Sequence, residues 1–165
     1  ALVADLAGKA ASGHTHPGGA TRVLLPADVV NNNATANTIA DVTGLSFPVV
    51  SGTRYKFEFN IFYTAQAGTT GSRWSINGPA FSLLSYGSEV PLGLLNRTLN
   101  NALTAYNLPA ASNGTSTVAP AYNRAVVEGL IIPSANGTVI ARFASEIANS
   151  AITARVGSYL DWEAY

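Results

Sequence analysis

His14 and His16 are the only histidines of the chain, and their spacing is its most specific chemical signal. In an extended segment residues i and i+2 point the same way, so both imidazoles can face one point. Two nitrogens are too few for a closed metal site. Three chains around an axis supply six, an octahedral nitrogen shell suited to iron, nickel or a related divalent transition metal. Metal binding and trimerisation therefore form a single expectation. The plain alternative is a pair of solvated linker side chains, because the surrounding GHTHPGGA (13–20) is built from helix-breaking Gly and Pro.

Enzymatic designs fit the same residues poorly. A cupin-like metal site expects a Glu soon after the second His and a further His on a later strand. Here Pro17, Gly18, Gly19 and Ala20 follow, and there is no third His. The serines lack the flanking glycines of a nucleophile elbow, which argues against a Ser-His-Asp arrangement. A carboxylate pair for glycoside hydrolysis would come from Asp28, Asp41, Glu58, Glu89, Glu128, Glu146, Asp161 or Glu163, which are scattered without a pattern. Glu58, Glu128 and Glu146 lie in strand-like runs, where Arg142, Arg54 or Arg155 can pair with them. No catalytic residue is assigned, and the chain reads as a non-enzyme. Aromatic rings can stack on sugars, and Trp74, Tyr86, Tyr106, Tyr122, Tyr159, Trp162 and Tyr165 are the candidates. Trp74 and Trp162 read as core or interface anchors. Tyr106 and Tyr122 flank a long polar stretch and are the candidate ligand-binding residues.

The elements that must position these residues are mostly strands. In RYKFEFNIFY (54–63) Tyr55, Phe57, Phe59, Ile61 and Tyr63 point one way, and Arg54, Lys56, Glu58 and Asn60 the other. Further strands are expected at Thr21–Leu25, Ile39–Val42, Arg73–Asn77, Ser82–Val90, Arg124–Ile132, Thr138–Ala144, Ala151–Val156 and Ser158–Glu163. Ser51-Gly52, Asn77-Gly78, Asn113-Gly114, Asn136-Gly137 and Gly157-Ser158 supply turn residues tolerant of positive φ. About ten short strands without βαβ alternation predict an all-β protein, an antiparallel two-sheet sandwich of jelly-roll type. Between Leu92 and Tyr106 the leucines at 92, 95, 99 and 103 fall at helical spacing, while Asn96, Asn100 and Asn101 favour strand or loop. Residues 107–123, NLPAASNGTSTVAPAYN, read as a surface loop.

Three parts follow: a helical stalk end at 1–12, a Gly/His linker at 13–20 and a β-sandwich domain at 21–165. In the first, Leu2, Leu6 and Ala10 recur every four residues along one side of a helix. So short a helix is marginal alone and needs a partner, most simply copies of itself. A frayed tail is the other reading.

Composition narrows the partners. The chain has 165 residues, 47% of them hydrophobic and only 11% charged, against about 25% charged in ordinary soluble domains, which excludes disorder. Nine basic residues balance nine acidic ones and no basic run exists, so no nucleic-acid binding is expected. No stretch approaches the ~20 apolar residues of a membrane helix, so no membrane insertion is expected either. Low charge suggests that much of the surface meets other protein. The absence of cysteine removes disulfides and thiolate metal sites. The absence of methionine, even at position 1, suggests a piece of a longer chain. Asn33, Asn96, Asn113 and Asn136 each open an Asn-X-Thr triplet, read here as turn chemistry rather than glycosylation.

The run GKAASGHTHPGG resembles the stalk-to-tip junction of tailed-bacteriophage fibre proteins. DVTGLSFPVVSGTRYKFEFNIFY (41–63), VEGLIIPSANGTVIARFASE (127–146) and SAITARVGSYLDWE (150–163) are similar to a C-terminal module recurrent in phage tail and head fibres. Together these stretches cover well over half the chain. The resemblance implies a trimeric β-sandwich on a coiled stalk, with His14 and His16 as metal ligands on the threefold axis. Related fibres carry several stacked histidine pairs, whereas this chain has one. It further implies a virion location, with host surface polysaccharide and other virion proteins as partners. Residues 92–125 match least, and variable loops on a scaffold are where recognition would differ. A carbohydrate-binding module of a secreted bacterial protein is the alternative: it would be monomeric and bind a defined sugar.

Overall fold

The computed structural model describes residues 19–93, 95–107 and 120–165. Among these residues eleven antiparallel strands follow one another: β1 (Thr21–Leu24), β2 (Val29–Asn31), β3 (Ala40–Val49), β4 (Tyr55–Ala65), β5 (Ser72–Asn77), β6 (Phe81–Pro91), β7 (Arg97–Leu103), β8 (Asn123–Pro133), β9 (Gly137–Ser145), β10 (Ile152–Ala154) and β11 (Tyr159–Ala164). They form two sheets. The larger runs β1-β11-β4-β8-β6-β7, with β10 and β2 attached beside β4, and the smaller runs β3-β9-β5. The all-β sandwich expected from the alternation is thus present. The stalk segment 1–12 and the histidines of the linker lie outside the described residues.

β4 occupies the centre because its alternation is the strongest in the chain. Tyr55, Phe57, Phe59, Ile61 and Tyr63 are buried on its inner face, while β11 and β8 pair with its two edges. The smaller sheet closes over these side chains with Phe47, Trp74 and Phe143. Trp74 stacks on Phe143 at 5.3 Å and meets Tyr63 at 5.0 Å. Phe47 packs against Phe57 at 5.9 Å and stacks on Trp162 at 5.3 Å. Such rings remove some 150–250 Å² each from water, so this aromatic seam dominates the cohesion between the sheets. The buried amide of Asn31 donates to the carbonyls of Thr38 and Phe143, both at 2.9 Å, and fastens β2 to β9.

Several boundaries differ from the sequence expectation. β2 is only three residues long, too short for alternation to be visible. β3 extends well beyond Val42 because a bulge between Asp41 and Ser46 interrupts its period. Gly44 sits at that bulge with φ +97°, where an added side chain would also press on Pro26. The leucines at helical spacing do not make a helix: residues 97–103 form β7, paired with β6. Leu95 is 94% exposed and Leu99 71% exposed, so they line no helix face. Asparagines with poor helix propensity and an open ladder on β6 outweigh the leucine period. Of the turn pairs, Gly52 and Gly157 adopt positive φ, whereas Gly78 and Gly137 do not.

Candidate functional site

Three regions bring together side chains that the sequence marks. The first is the seam where the chain leaves β7 and crosses to the smaller sheet. The Tyr86 hydroxyl donates to the Ala105 carbonyl at 2.9 Å, and the Asn107 N–H donates to the Ile76 carbonyl at 3.0 Å. Arg142 donates to the Asn107 side-chain oxygen at 2.6 Å. Between these ties Tyr106 donates its hydroxyl to the Pro79 carbonyl at 2.8 Å and sets its ring edge-on to Phe81 at 5.1 Å. Burial pushes the Tyr106 phenol up to about 12, with Tyr86 adding to the shift. Tyr106 is therefore a half-buried strut of the seam, with both its ring and its hydroxyl engaged.

The second region lies at the opposite end of the larger sheet. Tyr122 is 54% exposed, and the Arg155 guanidinium stands 5.8 Å from its ring centre. Arg155 also donates to Asp28 at 2.7 Å and to Thr64 at 3.0 Å. Asp28 accepts the Val156 N–H at 2.8 Å, and that bond, with Arg155 second, holds its carboxyl below the ordinary range. Tyr122 precedes the first residue of β8, whereas Phe81, the ring partner of Tyr106, pairs with its last residue, Pro133. At about 3.3 Å per residue the two tyrosines stand on the order of 30 Å apart along the sheet. The structure does not join them into one site.

The third region, the outer face of the larger sheet, was not singled out by sequence reasoning. In the register Asp161 faces Glu58 and Glu58 faces Glu128, so three acids form one row across β11, β4 and β8. Arg22 neutralises Asp161 with two bonds of 2.7 and 2.6 Å, and lowers its pKa. Glu58 accepts from the Asn60 amide at 2.7 Å and stands 3.9 Å from Arg124. Beside the row, Gly87 lets β7 approach closely, because the Asn100 carbonyl oxygen lies 2.8 Å from where its Cβ would stand. Two adjoining depressions of about 400 and 250 Å³ share Gly87, Asn101 and Glu128 and form one groove. Alternation alone identifies Glu58 and Glu128 as outward-facing. Their adjacency needs the strand register, which no local pattern in the sequence reveals.

The arginine partners differ from expectation. Arg142 pairs with Asp41 at 2.7 Å, Arg155 pairs with Asp28, and Glu146 accepts the Gly71 N–H at 3.0 Å. Arg54 instead faces the Tyr165 ring at 5.8 Å. The long reach of Arg lets contacts between elements override neighbours in sequence. Among the described residues no group of three or more His, Cys, Asp or Glu side chains is arranged to hold a metal. The candidate ligands His14 and His16 lie outside those residues. Trp74 and Trp162 are core rings, as the sequence indicated, the first fully and the second partly buried.

No protein-family model matches the chain, and no curated protein does. Among solved structures it is similar to the infectious bursal disease virus Gx strain structure, at 8% identity and a TM-score of 0.30, over 89% of this chain and 40% of that one. A mutant VP2 protein of infectious bursal disease virus from T=1 particles gives 8% identity and a TM-score of 0.29, over 88% and 38%. The chain spans about two fifths of the length of these structures. Scores of this size leave the functional reading to the chain's own residues.

Proposed function

We propose that the chain is a non-enzymatic structural protein of a tailed-phage virion: a trimeric fibre, spike or decoration module that presents loops to a host-surface glycan. The observation that carries this reading is the way the sandwich grips both ends of the Asn/Thr-rich excursion at 107–123. Asn107 is bonded to β5 and Arg142, and Tyr122 rests by the Arg155–Asp28 pair. A rigid scaffold that fixes loop ends while the loop sequence varies is the physical requirement of a recognition module. The stalk-like 1–12 segment and the GHTH junction supply the resemblance to fibres, and His14 and His16 of three chains would supply the six nitrogens for one divalent transition metal.

The test is attachment. The intact chain, applied to an array of bacterial surface polysaccharides, is expected to bind a narrow set of them. Replacing residues 108–119 by a Gly/Ser linker of equal length should weaken that binding without changing the melting temperature. Unchanged binding after the replacement would remove the loop from the recognition surface. The second reading, a carbohydrate-binding module of a secreted bacterial protein, is favoured by the groove on the larger sheet. It differs in predicting a monomer.

A further inference from the structure

We propose that the groove across the outer face of β4, β8, β6 and β7 is a binding site for a neutral glycan. The inference rests on the glycan-attachment reading and assigns it a surface distinct from the loop. The depressions fall within the few hundred Å³ that accommodate a short run of sugar rings. Their lining mixes the groups that polyhydroxyl ligands need. Glu58 and Glu128 are acceptors for vicinal hydroxyls, and Lys56 and Asn101 are donors. Leu99, 71% exposed, offers an apolar patch for the C–H face of a ring.

Charge selects neutral over anionic ligands. Lys56, Arg97 and Arg124 balance Glu58, Glu89 and Glu128 across the groove and its rim, so a polyanion gains no long-range attraction. Arg97 is bonded to Glu89, and Arg124 is bonded to Asn60 next to Glu58. The Glu128 carboxylate has no hydrogen bond or ion pair among the described residues, and the residue stands directly across from Glu58. Like charges in that position oppose sheet stability. Glu58 is offset by the Asn60 amide and Arg124, whereas the Glu128 carboxylate faces the groove with no partner and is suited to accept from a ligand.

Tyr165 supplies a stacking platform at the rim. Its N–H is tied to the Arg54 carbonyl at 3.0 Å, the Arg54 guanidinium lies 5.8 Å from its ring, and the residue is 64% exposed. A ring held at its backbone and left open on one face is suited to the apolar side of a hexose.

The test titrates the full chain with cellohexaose, laminarihexaose, chitohexaose and hexagalacturonate, read by saturation-transfer NMR and calorimetry. At least one neutral hexasaccharide is expected to bind and hexagalacturonate is not. Tyr165→Ala and Glu128→Gln should each weaken binding about tenfold or more. Glu128→Gln relieves a repulsion and keeps the fold, and Thr138→Ala, on the exposed face of the smaller sheet, should leave affinity unchanged. Binding that survives both groove variants but falls with Tyr122→Ala overturns the groove and leaves the glycan reading standing at the loop end. No response to any neutral probe, or preference for hexagalacturonate, overturns the groove, and the display reading is then judged on loop replacement and solution mass.

Discussion

Asp28 and Asp161 are held ionised by different means, a backbone N–H first in one case and a bidentate guanidinium first in the other. Both pKa values are lowered, so the stability these groups contribute is fully present above the unfolded carboxylate value of about 3.9 and is lost as pH falls through the folded values. Chemical denaturation between pH 6 and pH 2 should therefore show stability falling below about pH 4. Asp28→Asn should flatten that fall, and an equal pH slope in this variant would exclude Asp28 as a source. Tyr106 behaves oppositely at the alkaline end. Its folded pKa is raised to about 12, so its contribution is full below about 10 and is lost as pH rises through the folded value. In an ultraviolet titration Tyr106 should be among the last tyrosines to ionise. Tyr106→Phe should reduce that late component, leaving Tyr86, whose phenol burial also pushes up, and should remove the bond to Pro79, destabilising the seam by about 1 kcal/mol.

At the scale of elements, the seam between the sheets is aromatic, and Trp74 lies at its densest point. Trp74→Ala should cost about 3–5 kcal/mol in denaturant unfolding through the cavity it leaves between Tyr63 and Phe143. A loss below 1 kcal/mol would mean that the sheets do not close as described. β4 was legible in the sequence residue by residue, because one face is uniformly apolar and the other polar through Glu58. β7 was not, since Leu92, Leu95, Leu99 and Leu103 share a helical period that is accidental once β6 offers an unpaired edge. The extension of β3 was hidden by its bulge at Gly44, which breaks the period of two without breaking the strand. The candidate site divides in the same way. Tyr122 is exposed just before β8, as its polar neighbours in sequence suggested. Tyr106 is drawn into the seam by Pro79 and Phe81, partners more than twenty residues away. The groove was invisible because it depends on β4–β8–β6 register, a long-range property.

At the scale of the whole molecule, the surface carries few charges, and much of what it carries lies on the outer face of the larger sheet. Exposed apolar side chains include Leu99 and Tyr165 at the groove on that face, and others lie away from it: Leu24 and Val30 near one edge, and Val156 and Tyr122 near one end. Such a distribution suits a protein that associates through some surfaces and keeps one face wet. The proposed function requires three copies to join through residues 1–12 and a shared His14/His16 site. Multi-angle light scattering of the intact chain, with metal analysis of the same peak, tests it most directly. A mass of about 51 kDa is expected, three times the 17.0 kDa chain, with about one divalent transition metal per trimer, lost when His14 and His16 are both replaced by Ala. A metal-free particle of 17.0 kDa would contradict it and leave the two histidines as linker residues.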